Sequence, residues 1–345
     1  AKKAIDEGYT KYTPVSGFLE LRQAISRKFK RDNDLDYAPE QIVVSTGAKQ
    51  AIINVMMVLL NTGDEVILPS PYWVSYREMV KIAEGNFVVI QTKLENEFKI
   101  TPDELRAAIT PRTKLFVFSS PCNPTGEVYS KDELNALVAV FEQHPNVYIV
   151  SDEIYEYINF SDNHHSIAQF ESVRDRVIVV NGVSKGHAMT GWRIGYIAAK
   201  PEIAKACDKM QGQFTSGTSA VSQRAALAAL EGPLDETHLM VTEYKKRRDL
   251  VMSMLAEIPG IKPNHPEGAF YVFPDVSHYF GRSYNGTVIK NADDLCMYWL
   301  NEFHVAIVTG SAFGDSNCVR ISYATSVEKL KEAMKRVKEA CSKLT

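Results

Sequence analysis

The sequence predicts an α/β fold: a mainly parallel seven-stranded sheet flanked by helices, with a smaller α+β C-terminal domain. Two observations carry this reading. Short β-branched runs alternate with helical patterns through most of the chain, as in strands joined by crossover helices. From about residue 234 the pattern changes to one long amphipathic helix and then to short, separated apolar runs. Residues 1–245 are therefore assigned to the large domain and 246–345 to the small one.

The seven strands are read at QIVVST (41–46), DEVILPS (64–70), FVVIQT (87–92), KLFVFSS (114–120), VYIVSDE (147–153), RVIVVN (176–181) and IGYIAA (194–199). Each is a brief apolar run bounded by turn residues, the pattern of a strand covered on both faces. Helices fill most of the gaps, among them KQAIINVMMVLLN (49–61) and KDELNALVAVFEQH (131–144). LDETHLMVTEYKKRRDLVMSMLAEI, starting at 234, connects the two domains. The small domain takes GAFYVFPDV (268–276), VAIVTG (305–310), CVRISYA (318–324) and a closing helix from Val327. The KKRR run at 245–248 lies mid-helix beside Glu243 and Asp249, so it reads as a solvated helix face rather than a basic binding patch.

With 345 residues, 45% of them apolar and 23% charged, the chain can bury a sizeable core and has ordinary globular composition. A net charge of −3 gives no reason to expect nucleic acid or an anionic membrane as a partner, and no apolar run approaches a membrane span. The five cysteines show no metal-site or disulfide spacing, which suits a reducing, cytoplasmic setting. His164 and His165, adjacent in a polar loop, read as a surface turn, so no metal site is expected. The opening AKKAIDEGYTKY lacks an initiating Met and reads as the end of a helix under way, which implies a preceding N-terminal segment.

Ligands of an open parallel sheet sit beyond the carboxyl ends of the strands, and four strands here end in polar groups. QIVVST runs into Gly47-Ala48-Lys49 and a helix, a layout that can hold phosphate on free N–H groups at the positive end of the helix dipole. KLFVFSS runs into PCNPTG with Asn123. VYIVSDEIY supplies Asp152 and Tyr155, and RVIVVN leads to Ser184 and Lys185. Taken singly, these are a strand-to-helix turn, a tight turn, a helix N-cap and a solvated charge. Those plainer readings do not predict a lysine, an acid, an amide and a phosphate turn at one sheet edge.

Pyridoxal phosphate catalysis needs that set. A lysine forms the Schiff base and a carboxylate keeps the pyridine nitrogen protonated. Arg193 could clamp the phosphate bidentately, and Trp73 in PSPYWVSY could face the ring. Rival sites lack their marks: there is no G-x-G-x-x-G, and GQFTSGTS has phosphate-loop spacing without its lysine.

SPYWVSY, NPTG, SDEIYE, SK followed by AMTGWRIGY, and VRISYATS together resemble the class I aminotransferases of pyridoxal phosphate fold type I, most closely the aspartate aminotransferase branch that includes prephenate aminotransferases. The likeness runs from about Tyr9 to the C-terminus. It implies that Lys185 is the Schiff-base lysine and proton shuttle, and that Asp152 partners the pyridine nitrogen. Asn123 and Tyr155 would bond the ring hydroxyl, Trp73 would stack, and Gly47, Ala48, Lys49, Ser184 and Arg193 would surround the phosphate. Tyr12 would reach the phosphate of a neighbouring subunit, which implies a homodimer with shared sites. Arg320 would grip the substrate α-carboxylate and Lys49 the distal carboxylate of an acidic substrate, with Trp73 and Asn123 also touching substrate.

The resemblance therefore implies transfer of an amino group from aspartate to a 2-oxo acid such as 2-oxoglutarate, or to prephenate. A lyase or a cofactor-binding regulatory domain on the same scaffold is the alternative. Two departures stand out. Gly186-His187 replaces the usual Ala-Phe, which predicts looser packing behind the lysine, and the family's N-terminal arm is absent from the sequence.

Overall fold

The computed structural model describes residues 1–161 and 164–345. Seven strands form the large sheet: β1 (Ile42–Ser45), β2 (Glu65–Ser70), β3 (Asn86–Gln91), β4 (Thr113–Ser119), β5 (Tyr148–Asp152), β6 (Val177–Gly182) and β7 (Gly195–Ala198). Their order is β1-β7-β6-β5-β4-β2-β3. All neighbouring pairs are parallel except those of β7, which runs antiparallel to both β1 and β6. The reason is local. The segment between β6 and β7 holds one 3-10 turn and no α-helix, and without a crossover helix the chain returns antiparallel.

Among the described residues nine α-helices precede the long α10 (Asp235–Ala256), in order α1 (Lys2–Asp6), α2 (Leu19–Asn33), α3 (Ala48–Leu59), α4 (Ser75–Ile82), α5 (Pro102–Ala108), α6 (Lys131–Phe141), α7 (Glu171–Arg174), α8 (Pro201–Phe214) and α9 (Ala220–Glu231). Alternation along each strand divides them between two faces. Phe116, Ile149 and Val179 pack with Phe29 of α2 and Leu137 of α6. Leu115, Val117, Val150, Ile178 and Val180 face the other way, onto Val55 of α3, Val80 of α4 and Ala204 of α8. Two helix starts were written in sequence: Thr101 with Glu104 and Ser130 with Glu133 both close capping boxes.

The C-terminal domain builds its own core, with Trp299 and Val319 fully buried. It holds β8 (Tyr271–Val272), the hairpin β9 (Ser283–Tyr284) and β10 (Thr287–Val288), α11 (Ala292–Phe303), β11 (Val308–Thr309), β12 (Val319–Ser322) and α12 (Val327–Ser342). The three-stranded sheet, ordered β11-β12-β8, is shorter than the apolar runs suggest. Ala269, at φ +54°, leaves extended geometry before β8, and Pro274 lacks the N–H to prolong it. The KKRR run also divides. Lys245 and Lys246 are exposed as expected, but Arg248 is buried, donating to Pro266 O at 3.0 Å with its guanidinium 4.9 Å from the Phe160 ring centre. Among the described residues no helix is long and apolar enough to cross a membrane.

Candidate active site

Register brings the functional ends of the strands level. Ser119 of β4 pairs with Asp152 of β5, which pairs with Val180 of β6. Residues just past these positions therefore emerge side by side, into a cavity of about 380 Å³ lined by Ala48, Lys49, Trp73, Asn123, Asp152, Tyr155, Ser184, Lys185, Arg193 and Arg320. Gly47, the N-cap of α3, directly precedes the lining residue Ala48. Tyr12 does not reach it: the side chain is fully exposed, beside a shallow depression formed with Gly217–Ala220.

Asp152 is buried at the end of β5, accepting from Tyr76 Oη at 2.6 Å and from the Ile154 N–H at 3.3 Å. Burial pushes its pKa up to about 6, against those two bonds and the nearby Lys185 charge. Lys185 lies under two aromatic faces, its Nζ 5.4 Å from the Tyr155 ring centre and 5.2 Å from that of Phe270. Burial lowers its pKa; Asp152 opposes the shift, and the Arg320 and Arg193 charges add to it. A lysine so placed is an amine more readily than a surface lysine is.

The end of the cavity beside the α3 N-terminus is shaped by backbone. Gly47 has φ +83°, and a Cβ there would collide with the Arg193 guanidinium. Arg193, itself at φ +56°, donates to Thr190 O at 3.0 Å and Thr46 O at 3.3 Å, which aims its fork at the α3 N-terminus. Free N–H groups, the helix dipole and a guanidinium thus meet at one point. The other end is set by Arg320 on β12. Its Nη1 donates to Asn123 Oδ1 at 3.0 Å, and its guanidinium lies 4.5 and 4.7 Å from the ring centres of Tyr271 and Phe313. Its buried Nε has no partner, and no carboxylate pairs with it among the described residues. A half-buried guanidinium with no carboxylate partner among the described residues is suited to binding an anion.

The family model of aminotransferase class I and II matches residues 1–337. The chain belongs to that family. This aminotransferase is 48% identical to the aspartate/prephenate aminotransferase of Cereibacter sphaeroides, over all of this chain and 87% of the relative. It is 45% identical to a Petunia hybrida protein named bifunctional aspartate aminotransferase and glutamate/aspartate-prephenate aminotransferase, over 98% of this chain and 71% of that protein. Its fold matches the crystal structure of the aspartate aminotransferase from Rhizobium meliloti with a TM-score of 0.97 and 44% identity, covering 100% of this chain and 87% of the other. The Thermus thermophilus aspartate aminotransferase with maleate gives a TM-score of 0.91 at 40% identity, over 98% and 86%.

Several residues of this aminotransferase site were not singled out from sequence. Tyr76 stands one helical turn after Trp73 and meets its ring edge-on at 5.4 Å, so the SPYWVSY motif held the signal. Tyr271 bonds Tyr155 hydroxyl to hydroxyl at 2.9 Å from 116 residues away, a separation no local pattern reports. The Lys49 ammonium stands 5.0 Å from the Trp73 ring centre.

Two expectations need correcting. Packing behind the lysine is not loose: the Tyr157 ring fills the space that a Cβ on Gly186 would need, and His187 meets that ring edge-on at 5.5 Å. His164 is not a solvent-facing turn residue either, for its ring is largely buried and its Nε2 lies 3.1 Å from Glu153 Oε2. Glu153, Glu156 and His164 bring ligand atoms within 4.8 Å of one another. The Lys28 ammonium, buried against Glu156, already supplies the positive charge there.

Proposed function

We propose that the cavity holds pyridoxal 5'-phosphate and that the protein transfers the amino group of aspartate to a 2-oxo acid, 2-oxoglutarate first. The residues fit the cofactor. Gly47, Ala48, Ser184 and Arg193 would take the phosphate, Asp152 the pyridine nitrogen, Asn123 and Tyr155 the ring hydroxyl, and Trp73 one ring face. Bound there, the cofactor supplies an electron-accepting ring and a carrier for the nitrogen in a two-stage exchange.

The protein's own groups then do the proton and binding work. Lys185, its pKa lowered by burial, would accept the substrate Cα proton and pass it to the cofactor carbon bonded to the transferred nitrogen. Asp152, ionised above about pH 6, holds the positive ring nitrogen, and Tyr76 steadies the carboxylate. Arg320 takes the α-carboxylate in a bidentate fork, and Lys49 the distal one. Tyr12 serves the site of a second copy, in keeping with its full exposure, so the working unit is a homodimer.

The observation that carries the reading is the unneutralised Arg320 guanidinium sharing a cavity with Lys185 and Asp152. Prephenate is a second amino acceptor to consider, because relatives at 45% and 48% identity carry it in their names. The test is reconstitution with pyridoxal phosphate, then aspartate, glutamate and neutral amino acids as donors against 2-oxoglutarate, oxaloacetate and prephenate. Efficient use of neutral donors with none of aspartate or glutamate would overturn the assignment.

A further inference from the structure

One deeply buried carboxyl has no part in the chemistry above. Glu127 ends the loop that carries Asn123, and Asn264 lies on the C-terminal segment that crosses to meet it; they are 3% and 4% exposed. The Asn264 amide is tied on both sides. Its Nδ2 donates to Thr125 O at 2.7 Å and Glu127 Oε1 at 2.6 Å, and its Oδ1 accepts from the Phe273 N–H at 2.9 Å. Phe273 directly follows β8, which carries Tyr271.

The same two segments meet again through the N–H groups of Glu267 and Gly268, which donate to Gly126 O at 3.0 and 2.7 Å. The loop also closes on itself, Cys122 N–H to Glu127 O at 2.9 Å and Gly126 N–H to Cys122 O at 2.8 Å. Asn123 sits inside this turn, so its place relative to Arg320 is fixed by whatever holds the turn against the C-terminal domain.

We propose that Glu127 and Asn264 are positioning residues whose buried contact locks the Asn123 loop to the β8 approach and thereby sets where Asn123 and Arg320 meet. The proposal rests on reading Asn123 and Arg320 as cofactor and substrate ligands. The carboxyl also makes the contact proton-dependent. The charged and titratable groups around Glu127 are Lys99, Glu97, Glu267 and Cys122. Burial pushes its pKa up to about 8, with the Asn264 bond and Lys99 opposing and Glu97 and Glu267 adding. Lys99 is itself engaged by Glu97 at 3.0 Å and Glu133 at 3.1 Å. Glu127 is therefore mostly uncharged at neutrality. Because its folded pKa lies above that of an ordinary carboxyl, its contribution to stability is full below the ordinary range, declines as pH rises, and is gone above about 8.

Two measurements test this independently of each other. On cofactor-free protein, unfolding is followed from pH 5 to 9 with hydrogen exchange of residues 122–127 and 264–273. Wild type is expected to lose stability toward pH 8 and E127Q, neutral at every pH, to lack that loss. N264A is expected to raise exchange in both segments together. On protein loaded with pyridoxal phosphate, N264A and E127A are expected to raise KM for aspartate about tenfold with a smaller change in kcat, and E127Q to restore it.

Equal pH slopes in wild type and E127Q, or faster exchange in residues 264–273 alone, overturn the proposal. If N264A does not fold, E127A against E127Q carries the same comparison. A wild-type protein that shows the exchange coupling but does not accept aspartate sinks the functional reading and leaves the clasp standing.

Discussion

Tyr76 donates its hydroxyl to Asp152 Oδ2 at 2.6 Å, inside a site where both side chains are buried. The bond works against burial, which pushes the Asp152 pKa up to about 6. A carboxylate is needed opposite a protonated pyridine nitrogen, so cofactor affinity should weaken as pH falls through about 6. Y76F removes the donor. The expected result is a midpoint raised by about one pH unit, since a hydrogen bond to a charged group is worth about 1.5–3 kcal/mol. Fluorescence titration of cofactor-free protein with pyridoxal phosphate between pH 5 and 8 measures it; an unmoved midpoint would mean Tyr76 does not support the ionised form.

Gly186 is expected to tolerate no side chain. A Cβ there would run into Cδ2 of Tyr157, whose hydroxyl is held by Asp32, so the ring cannot easily give way. Overpacking of this kind costs about 1–3 kcal/mol, and G186A should lower Tm by several degrees. The carbonyl of Gly186 accepts from Thr237 Oγ1 at 2.9 Å, which ties the lysine turn to α10. T237V should therefore destabilise in the same direction by a smaller amount, and calorimetry on the two variants would reveal whether the turn is as closely packed as described.

How much of this was legible beforehand follows from distance along the chain. The strand ends could be read because β-branched runs and the polar residues after them are neighbours in sequence, and Asp152, Lys185 and Asn123 all follow directly. The direction of β7 was missed because it depends on an absent crossover helix rather than on the strand's own residues. Tyr271, Asn264 and the burial of Arg248 were missed because each is fixed by a partner on a distant segment. Gly186-His187 misled for a related reason: the ring that fills the gap belongs to Tyr157, some thirty residues earlier in the chain.

Lys49 should set the preference for acidic substrates. Its ammonium stands 5.0 Å from the Trp73 ring centre within the cavity, a cation over an aromatic face with its charge left for an incoming carboxylate. K49A is expected to lower kcat/KM for aspartate about tenfold or more while changing that for alanine little. The ratio of the two specificity constants is the readout. A ratio equal to that of wild type would remove Lys49 from the substrate site.

Arg320 is the residue whose replacement separates charge from shape. Its guanidinium is packed against the Tyr271 and Phe313 rings and bonded to Asn123, and these contacts fix the plane in which its remaining donors point. R320K keeps a positive charge but loses the planar fork, the stacking and the bond to Asn123 as drawn. If a long-range attraction to the α-carboxylate were all that mattered, the lysine would serve nearly as well. If bidentate docking orients Cα toward Lys185, kcat/KM should fall about 10²-fold, a loss of about 2.7 kcal/mol within the range of one or two charged hydrogen bonds. The protein should still retain pyridoxal phosphate about as wild type does, because Arg193 and Asp152 are untouched. A fall in activity accompanied by loss of the cofactor would instead place Arg320 in the cofactor's support, and a near-normal kcat/KM would show that orientation at the α-carboxylate comes from elsewhere.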